Sequence, residues 1–363
     1  MSSEREALKA EFLAAHGLAD ARRFALAGDA STRAYERLHT ASGRTLIFMD
    51  QPPHAETEPC RADFTPEQRR ASGYNALARL AAGRVEAFVT TATHLKSLGL
   101  SAPEVVAFDA PGGLAVLEDL GDALYARLIG DGAGEDELYE AAVDALAVMH
   151  AQAPPAELTC GAVSWPLLAY DDLALKTAGD LFVEWLPQLK PELAFSADAV
   201  AEWEALWAPI RARGEAQADV FCHRDYHAEN LIWLPEREGP ARVGLLDFQD
   251  AVRAHKVWDF SMLLHDARRD VSAEREAASL AHYFKLRPEL DRDEFMAAYN
   301  ALGALNVARI LGIFSRLVVR DGKPRYLGFM PRLWGYLDRT LAAPGMQPMK
   351  AWFDEHVPAE ARA

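Results

Sequence analysis

Two carboxylates and one amide, ordered around a short hairpin, limit what this chain can fold into. Asp225 and Asn230, with four residues between them, occupy the stretch His223-Arg224-Asp225-Tyr226-His227-Ala228-Glu229-Asn230. Asp247 ends the apolar run Val243-Gly244-Leu245-Leu246, 22 positions after Asp225. Between them, strand-like pieces at 231–234 and 242–248 flank a turn, PEREGP, which carries Pro235, Gly239 and Pro240. A hairpin of that length returns the second carboxylate beside Asn230. Taken singly each piece is weak, since aspartate at a strand end is commonly a turn residue. The ordered combination carries the weight.

The rest of the chain supplies a frame for that constellation. Its 363 residues suggest two or three packed units, and half of them are hydrophobic, enough for a sizeable core. The pattern predicts an amphipathic helix over 4–16 and a strand over 24–27. A polar turn, Gly28-Asp29-Ala30-Ser31-Thr32-Arg33, follows, and then strands at 34–39 and 45–50. Helices are predicted over 66–82 and 84–98, and a hairpin over 104–108 and 114–118. Beyond residue 122 helical periodicity dominates, with a helix over 136–152. The apolar stretch 301–319, interrupted by Asn306, Arg309 and Arg316, reads as a core helix. No internal repeat is visible. The expected class is α+β: a small antiparallel-sheet N-lobe (1–118) and a larger, mainly helical C-lobe (119–363), divided near 118–121.

The net charge of -16 and a pI near 5.2 argue against nucleic acid or an anionic membrane as partner. A local basic pocket for a small anion is still compatible with them. Cys60, Cys160 and Cys222 are odd in number and lack a C-x-x-C spacing, so reduced thiols are expected. The charged N-terminus has no apolar signal segment. A cytoplasmic protein acting on a small molecule, with no obligate protein partner, is the expectation.

Phosphoryl transfer requires a carboxylate that orients the attacking hydroxyl and accepts its proton, and a ligand for the metal that neutralises the γ-phosphate. The loop at 223–230 matches the H-R-D-x-x-x-x-N pattern of protein-kinase catalytic loops, and Asp247-Phe248 matches the magnesium-chelating Asp-Phe-Gly, with Gln249 in place of the glycine. Three stretches extend the likeness: GDASTRAY (28–35), LEDLGD (117–122) with HRDYHAENLIWL, and LLDFQDA followed by HDARRDV (265–271). With these the chain resembles the aminoglycoside phosphotransferase and choline kinase superfamily. Within it, the chain is similar to the bacterial N-acetylmuramate/N-acetylglucosamine anomeric kinases of peptidoglycan recycling.

The resemblance implies a protein-kinase-like, two-lobed fold and an ATP- and Mg²⁺-dependent kinase of an amino sugar, acting at the anomeric hydroxyl. Asp225 would be the base, and Asn230 and Asp247 the magnesium ligands. Glu118 and Leu120 would meet the adenine edge at a hinge. Asp259 would brace the catalytic loop, and Asp250 would stand behind the magnesium aspartate. A kinase of another small alcohol (an aminoglycoside, choline or an amino alcohol) and an inactive nucleotide-binding regulator are the rival readings.

The chain also departs from the family pattern. Met49 stands where the third strand usually carries a phosphate-binding lysine, and the N-lobe lysines Lys9 and Lys96 lie elsewhere. Arg33 is the replacement expected here, because a guanidinium holds phosphate oxygens bidentately; a surface arginine is the alternative. Gly28 and Ser31 form at most a one-glycine phosphate cradle. Residues 54–83 read as an insertion without assigned chemistry. On the substrate side His227, Glu229 and Arg268 are candidates, against a structural role for His227 and a solvated charged face for Arg268 and Arg269. Trp203 and Trp207, four residues apart, fit a core stripe better than a sugar platform.

Overall fold

The computed structural model describes residues 3–26, 33–52, 58–132 and 134–362. The chain forms two compact units. One comprises residues 1–128, 155–167 and 230–251, the other 129–154, 168–229 and 252–363. The sequence reading draws one cut near 118–121, whereas the chain changes unit after Leu128 and re-enters the first unit twice. The re-entering pieces are short hairpins, which are marginal alone and need a partner surface. Strands Glu157–Cys160 and Val163–Pro166 pack on helix Val85–Ser97. Strands Leu231–Trp233 and Val243–Leu245 attach through bridges from Ser101 to Gly244 and from Leu124 to Ile232.

In the first unit, strands β1 (Arg22–Ala25), β2 (Ala34–His39), β3 (Thr45–Asp50), β4 (Val105–Asp109) and β5 (Leu114–Glu118) form an antiparallel sheet in the order β1-β2-β3-β5-β4. The alternation places β2, β3 and β5 correctly, and β1 lies two residues earlier than expected. Alternate residues of a strand face opposite sides. Leu38, Leu46, Phe48, Leu114 and Val116 therefore share one face, which Phe12 and Leu13 of the helix α1 (Ser3–Ala15) cover. Tyr35 and Met49 are cross-strand partners on the other face.

A charge cluster sits on the α1 side. Lys9 is fully buried, with Nζ 2.8 Å from Glu36, 2.9 Å from Glu6 and 3.4 Å from Asp50. Arg23 donates to Glu36 at 2.5 Å, and Arg5 donates to Asp50. The Arg23 hydrogen bond, helped by Lys9 and opposed by burial, pulls the Glu36 carboxyl down to about 2. A depressed carboxylate stabilises the fold above the ordinary range near 4.3, and that contribution is lost as pH falls toward 2. Discounted for the water that reaches it, the effect is about 1–2 kcal/mol. Glu36→Gln is expected to lose that amount in urea unfolding at pH 7 and to converge with the parent protein near pH 2. A constant gap across that range would refute the linkage.

The single helix expected over 66–82 is instead two, Pro66–Ser72 and Tyr74–Ala78. Gly73 between them takes φ 92°, which ends the first helix and turns the chain. Thr65 and Gln68 close a capping box at its start.

The second unit is mainly helical and is organised by the 28-residue helix Arg292–Val319. It packs most extensively on helix Asp172–Leu189. Contact is close at Gly312, where an added Cβ would lie 2.3 Å from the carbonyl carbon of Leu181, so only glycine fits. This helix is long and apolar enough to cross a membrane, but 72% of its most apolar window is buried inside the protein. Trp203 and Trp207 are both 1% exposed, and Trp203 stacks on Phe182 and meets Trp352 and Phe353. The core reading of the tryptophan stripe holds. An antiparallel sheet followed by a mainly helical remainder meets the expected α+β, protein-kinase-like class.

Candidate active site

The loop carrying Asp225 belongs to the second unit. Strand Val220–Cys222 pairs with Val252–Ala254 and delivers the chain to His223. Asp259, fully buried in helix Val257–Leu264, then accepts the backbone N–H groups of His223 at 2.7 Å and Arg224 at 2.8 Å, and the Cys222 thiol at 3.1 Å. Burial pushes both the Asp259 carboxyl and the Cys222 thiol up. Arg224 takes φ 79°, a conformation uncommon outside glycine, and its guanidinium lies 4.8 Å from the Tyr170 ring centroid. Tyr226 is fully buried and donates to the Ala142 carbonyl at 2.8 Å. Between these anchored neighbours Asp225 is half-buried, and its carbonyl accepts the His227 N–H.

Asn230 and Asp247 belong to the first unit, where the hairpin does what its length suggested. Leu231 pairs with Leu245, and the next step of the ladder is a bond from Leu246 N–H to the Asn230 carbonyl at 2.9 Å. Asp247 is therefore adjacent in sequence to the residue that Asn230 holds. Asp247 has φ 59°, one of four non-glycine residues with positive φ among the described residues. Such strain gathers where the surroundings over-determine a conformation.

Arg33 comes to this aspartate. Its Nη2 lies 2.5 Å from Asp247 Oδ1 and its Nη1 2.6 Å from Gln249 Oε1. Burial works against its charge, yet Tyr35 and Asp247 hold its pKa above the ordinary guanidinium value. Arg33 precedes Tyr35 by two, so it emerges on the Met49 face of the sheet. Lys9 reaches the opposite face and is spent on three carboxylates. Gln249 Nε2 bridges Asp247 at 3.1 Å and Asp250 at 3.4 Å. Asp250 Oδ1 in turn accepts the Ala81 N–H at 2.6 Å. The segment read as an insertion without assigned chemistry thus holds the loop behind Asp247. The Phe88 and Phe248 rings add a contact at 4.8 Å.

The three substrate-side candidates come together in the second unit. Arg268 Nε is 2.7 Å from Glu229 Oε2, and its Nη1 is 3.4 Å from His227 Nε2. Asp266, whose carboxyl burial pushes up, accepts from Arg268 N–H at 2.9 Å and Ala228 N–H at 3.4 Å. Arg268 pairs with Glu229, and Arg269 with Glu135 at 2.8 Å, so both guanidinium groups are engaged with carboxylates of the same unit. Asp266 lies inside the HDARRDV stretch, but nothing local in the sequence distinguishes it as the loop's second brace.

Of the nucleotide-side candidates, Gly28 and Ser31 lie outside the described residues. Glu118 gives its N–H to the Glu104 carbonyl at 2.8 Å, and its carboxylate accepts from Arg237 at 2.5 Å. Leu120 is 8% exposed and packs with Ile232 and Leu234. Sequence reading missed Arg37, which donates from β2 to Asp119 at 3.1 Å and Asp122 at 2.8 Å, tying that strand to LEDLGD.

Asn230 and Asp247 supply oxygen donors, which suit a hard divalent cation. Mg²⁺ keeps much of its shell in waters and phosphate oxygens, so one carboxylate and one amide fit it without a dense protein cage. No cluster of three or more His, Cys, Asp or Glu side chains suited to a metal occurs among the described residues.

A family model described as "Phosphotransferase enzyme family" matches residues 24–296. An N-acetylmuramate/N-acetylglucosamine kinase of Caulobacter vibrioides is 65% identical over 362 residues, covering 100% of this chain and 99% of its own length. The choline kinase LicA from Streptococcus pneumoniae superposes with a TM-score of 0.56 at 15% identity, over 93% of this chain and 100% of that one. The amicoumacin kinase hAmiN, in complex with AMP-PNP, Ca²⁺ and Ami, gives 0.53 at 17% identity, over 94% and 96%. At those identities the two structures speak to the fold alone.

Proposed function

This chain belongs to the phosphotransferase enzyme family, and we propose that it is an amino sugar kinase that transfers the γ-phosphoryl group of ATP to N-acetylmuramate or N-acetylglucosamine. The observation that carries the substrate is the 65% identity over the whole chain to a kinase bearing those two sugars in its name. The acceptor is the anomeric hydroxyl, the product a sugar 1-phosphate, the setting cytoplasmic recycling of cell-wall sugars.

Asp225 orients the sugar hydroxyl and takes its proton as the new O–P bond forms and the β–γ bridge bond breaks, with ADP leaving. Asn230 and Asp247 would hold Mg²⁺, which when bound would neutralise charge on the phosphates. Arg33, beside Asp247, supplies the cation that Met49 does not, donating to the phosphate oxygens. Glu118 and Leu120 border the adenine, while His227, Glu229 and Arg268 form the sugar side. Most of the rate comes from positioning and fixed electrostatics.

Arg33→Ala is expected to raise the KM for ATP about tenfold, the value of a charge-assisted pair, while the sugar KM changes little. An unchanged KM for ATP would remove Arg33 from the nucleotide site. The proposal as a whole is tested by a coupled ADP-release assay on both sugars, choline and kanamycin, followed by phosphorus NMR of the product. Phosphorus coupled to a single anomeric proton supports the 1-phosphate. Coupling to a methylene pair overturns the anomeric assignment. Turnover of choline or kanamycin without either sugar overturns the substrate class, and ATP binding without any turnover favours an inactive regulator.

A further inference from the structure

One carboxylate ties Arg268 to the catalytic loop. Asp266 accepts the Arg268 N–H on Oδ1 at 2.9 Å and the Ala228 N–H on Oδ2 at 3.4 Å, so the two backbone segments lie against each other. Ala228 is three residues from Asp225, and three residues of chain span at most about 10 Å. The bond from the His227 N–H to the Asp225 carbonyl at 3.1 Å turns the chain and shortens that span. All of these residues belong to the second unit. The Arg268 side chain reaches back over the same loop, with Nε 2.7 Å from Glu229 Oε2 and Nη1 3.4 Å from His227 Nε2. A guanidinium therefore stands within reach of a sugar whose hydroxyl rests on Asp225.

That guanidinium is paired but not enclosed. Its Nη2 has no hydrogen-bond partner among the described residues, and the side chain is 25% exposed. The Glu229 side chain is 45% exposed. Water screens such a pair, and fixing two long side chains costs entropy, so the pair is weakly held. The seated carboxylate shows that the guanidinium is already aimed to receive one, and an exposed carboxylate can leave. Arg269 instead turns toward Glu135 and the Tyr139 ring of a neighbouring helix.

We infer that Arg268 and Glu229 form an exchangeable specificity pair: the guanidinium takes the carboxylate of an anionic acceptor sugar, and Glu229 fills that place when the acceptor is neutral. N-acetylmuramate differs from N-acetylglucosamine by a lactyl ether on the ring carbon two positions from the anomeric one, and its carboxylate is the one anionic group either sugar presents. The exchange lets one site serve both. This inference deepens the amino sugar reading and rests on it, and the experiment separates the two. Its readout is the ratio of kcat/KM for N-acetylmuramate to kcat/KM for N-acetylglucosamine, which cancels damage common to both sugars. Arg268→Met is expected to lower that ratio about 10- to 100-fold, the worth of a charge-assisted hydrogen bond. Glu229→Gln removes the competing charge and is expected to raise the ratio about threefold, the worth of a partly exposed ion pair. A pair that merely braced the loop would not move the ratio in opposite directions. A ratio that stays put in either variant, or moves the same way in both, overturns the exchange and leaves the kinase reading intact, because the unaltered enzyme still turns over both sugars. An unaltered enzyme that turns over only one of the two overturns the inference directly. One that accepts neither sugar removes the parent reading, and this inference with it.

Discussion

Asp225→Asn is expected to lower turnover roughly 10³-fold, within the range that general base catalysis supplies, while leaving ATP affinity within about threefold. The substitution keeps the size of the side chain and one oxygen, so the sugar hydroxyl can still be oriented. What it removes is the capacity to accept a proton. A thousandfold loss corresponds to about 4 kcal/mol of barrier. The loop's shape is held by the Asp259 bonds to His223 and Arg224, the Tyr226 bond to Ala142, and the Asp225 carbonyl. The variant is therefore expected to melt with the parent protein. ATP affinity, read by calorimetry, tests the proposed metal ligands Asn230 and Asp247, which adjoin the Leu231–Trp233 and Val243–Leu245 hairpin. Turnover comparable to that of the parent enzyme would remove Asp225 from the mechanism. A parallel collapse of ATP affinity would assign it to nucleotide binding instead.

Much of this site was legible because its signals are local or span one hairpin. The spacing of Asn230 and Asp247 needs only a turn and a two-strand ladder, and strand alternation predicts both. The β2 and β3 strands were legible for the same reason: each completes several periods. Strands of three residues, such as Val220–Cys222 and Val252–Ala254, complete barely one, so periodicity cannot find them. Long-range charge pairing is invisible to any window. Arg33 reaches Asp247 across 214 positions, and Lys9 disappears beneath the sheet because Glu36 and Asp50 point toward α1. The sequence shows that a cation is missing at Met49. It suggests Arg33 from chemistry, but only the common sheet face shared by Arg33, Tyr35 and Met49 gives that choice a geometric basis. The 66–82 helix failed for a different reason: apolar spacing continued through Gly73, where the backbone turned.

Asp259→Ala should be the most damaging change away from the reacting atoms. Its carboxylate accepts two backbone N–H groups that no water can reach, at 2.7 and 2.8 Å. Leaving a buried donor unpaired costs about 1–3 kcal/mol, so two together cost roughly 2–5 kcal/mol. For a protein whose whole stability is roughly 5–15 kcal/mol, that is a large share. Catalysis is expected to suffer as well, because Arg224 is held at φ 79° next to Asp225, and those bonds help to hold it. The two losses separate in a second variant. Asp259→Asn keeps one acceptor oxygen but turns an NH₂ group toward the other N–H, so it recovers part of the stability while the loop stays displaced. The expected pattern is a urea midpoint between those of the alanine variant and the parent protein, with kcat still depressed at least about tenfold and the KM for ATP nearly unchanged. An alanine variant that unfolds at the parent midpoint with full kcat would show that Asp259 does not brace the loop. The position of Asp225 would then rest on other anchors, among them the Tyr226 and Asp266 bonds.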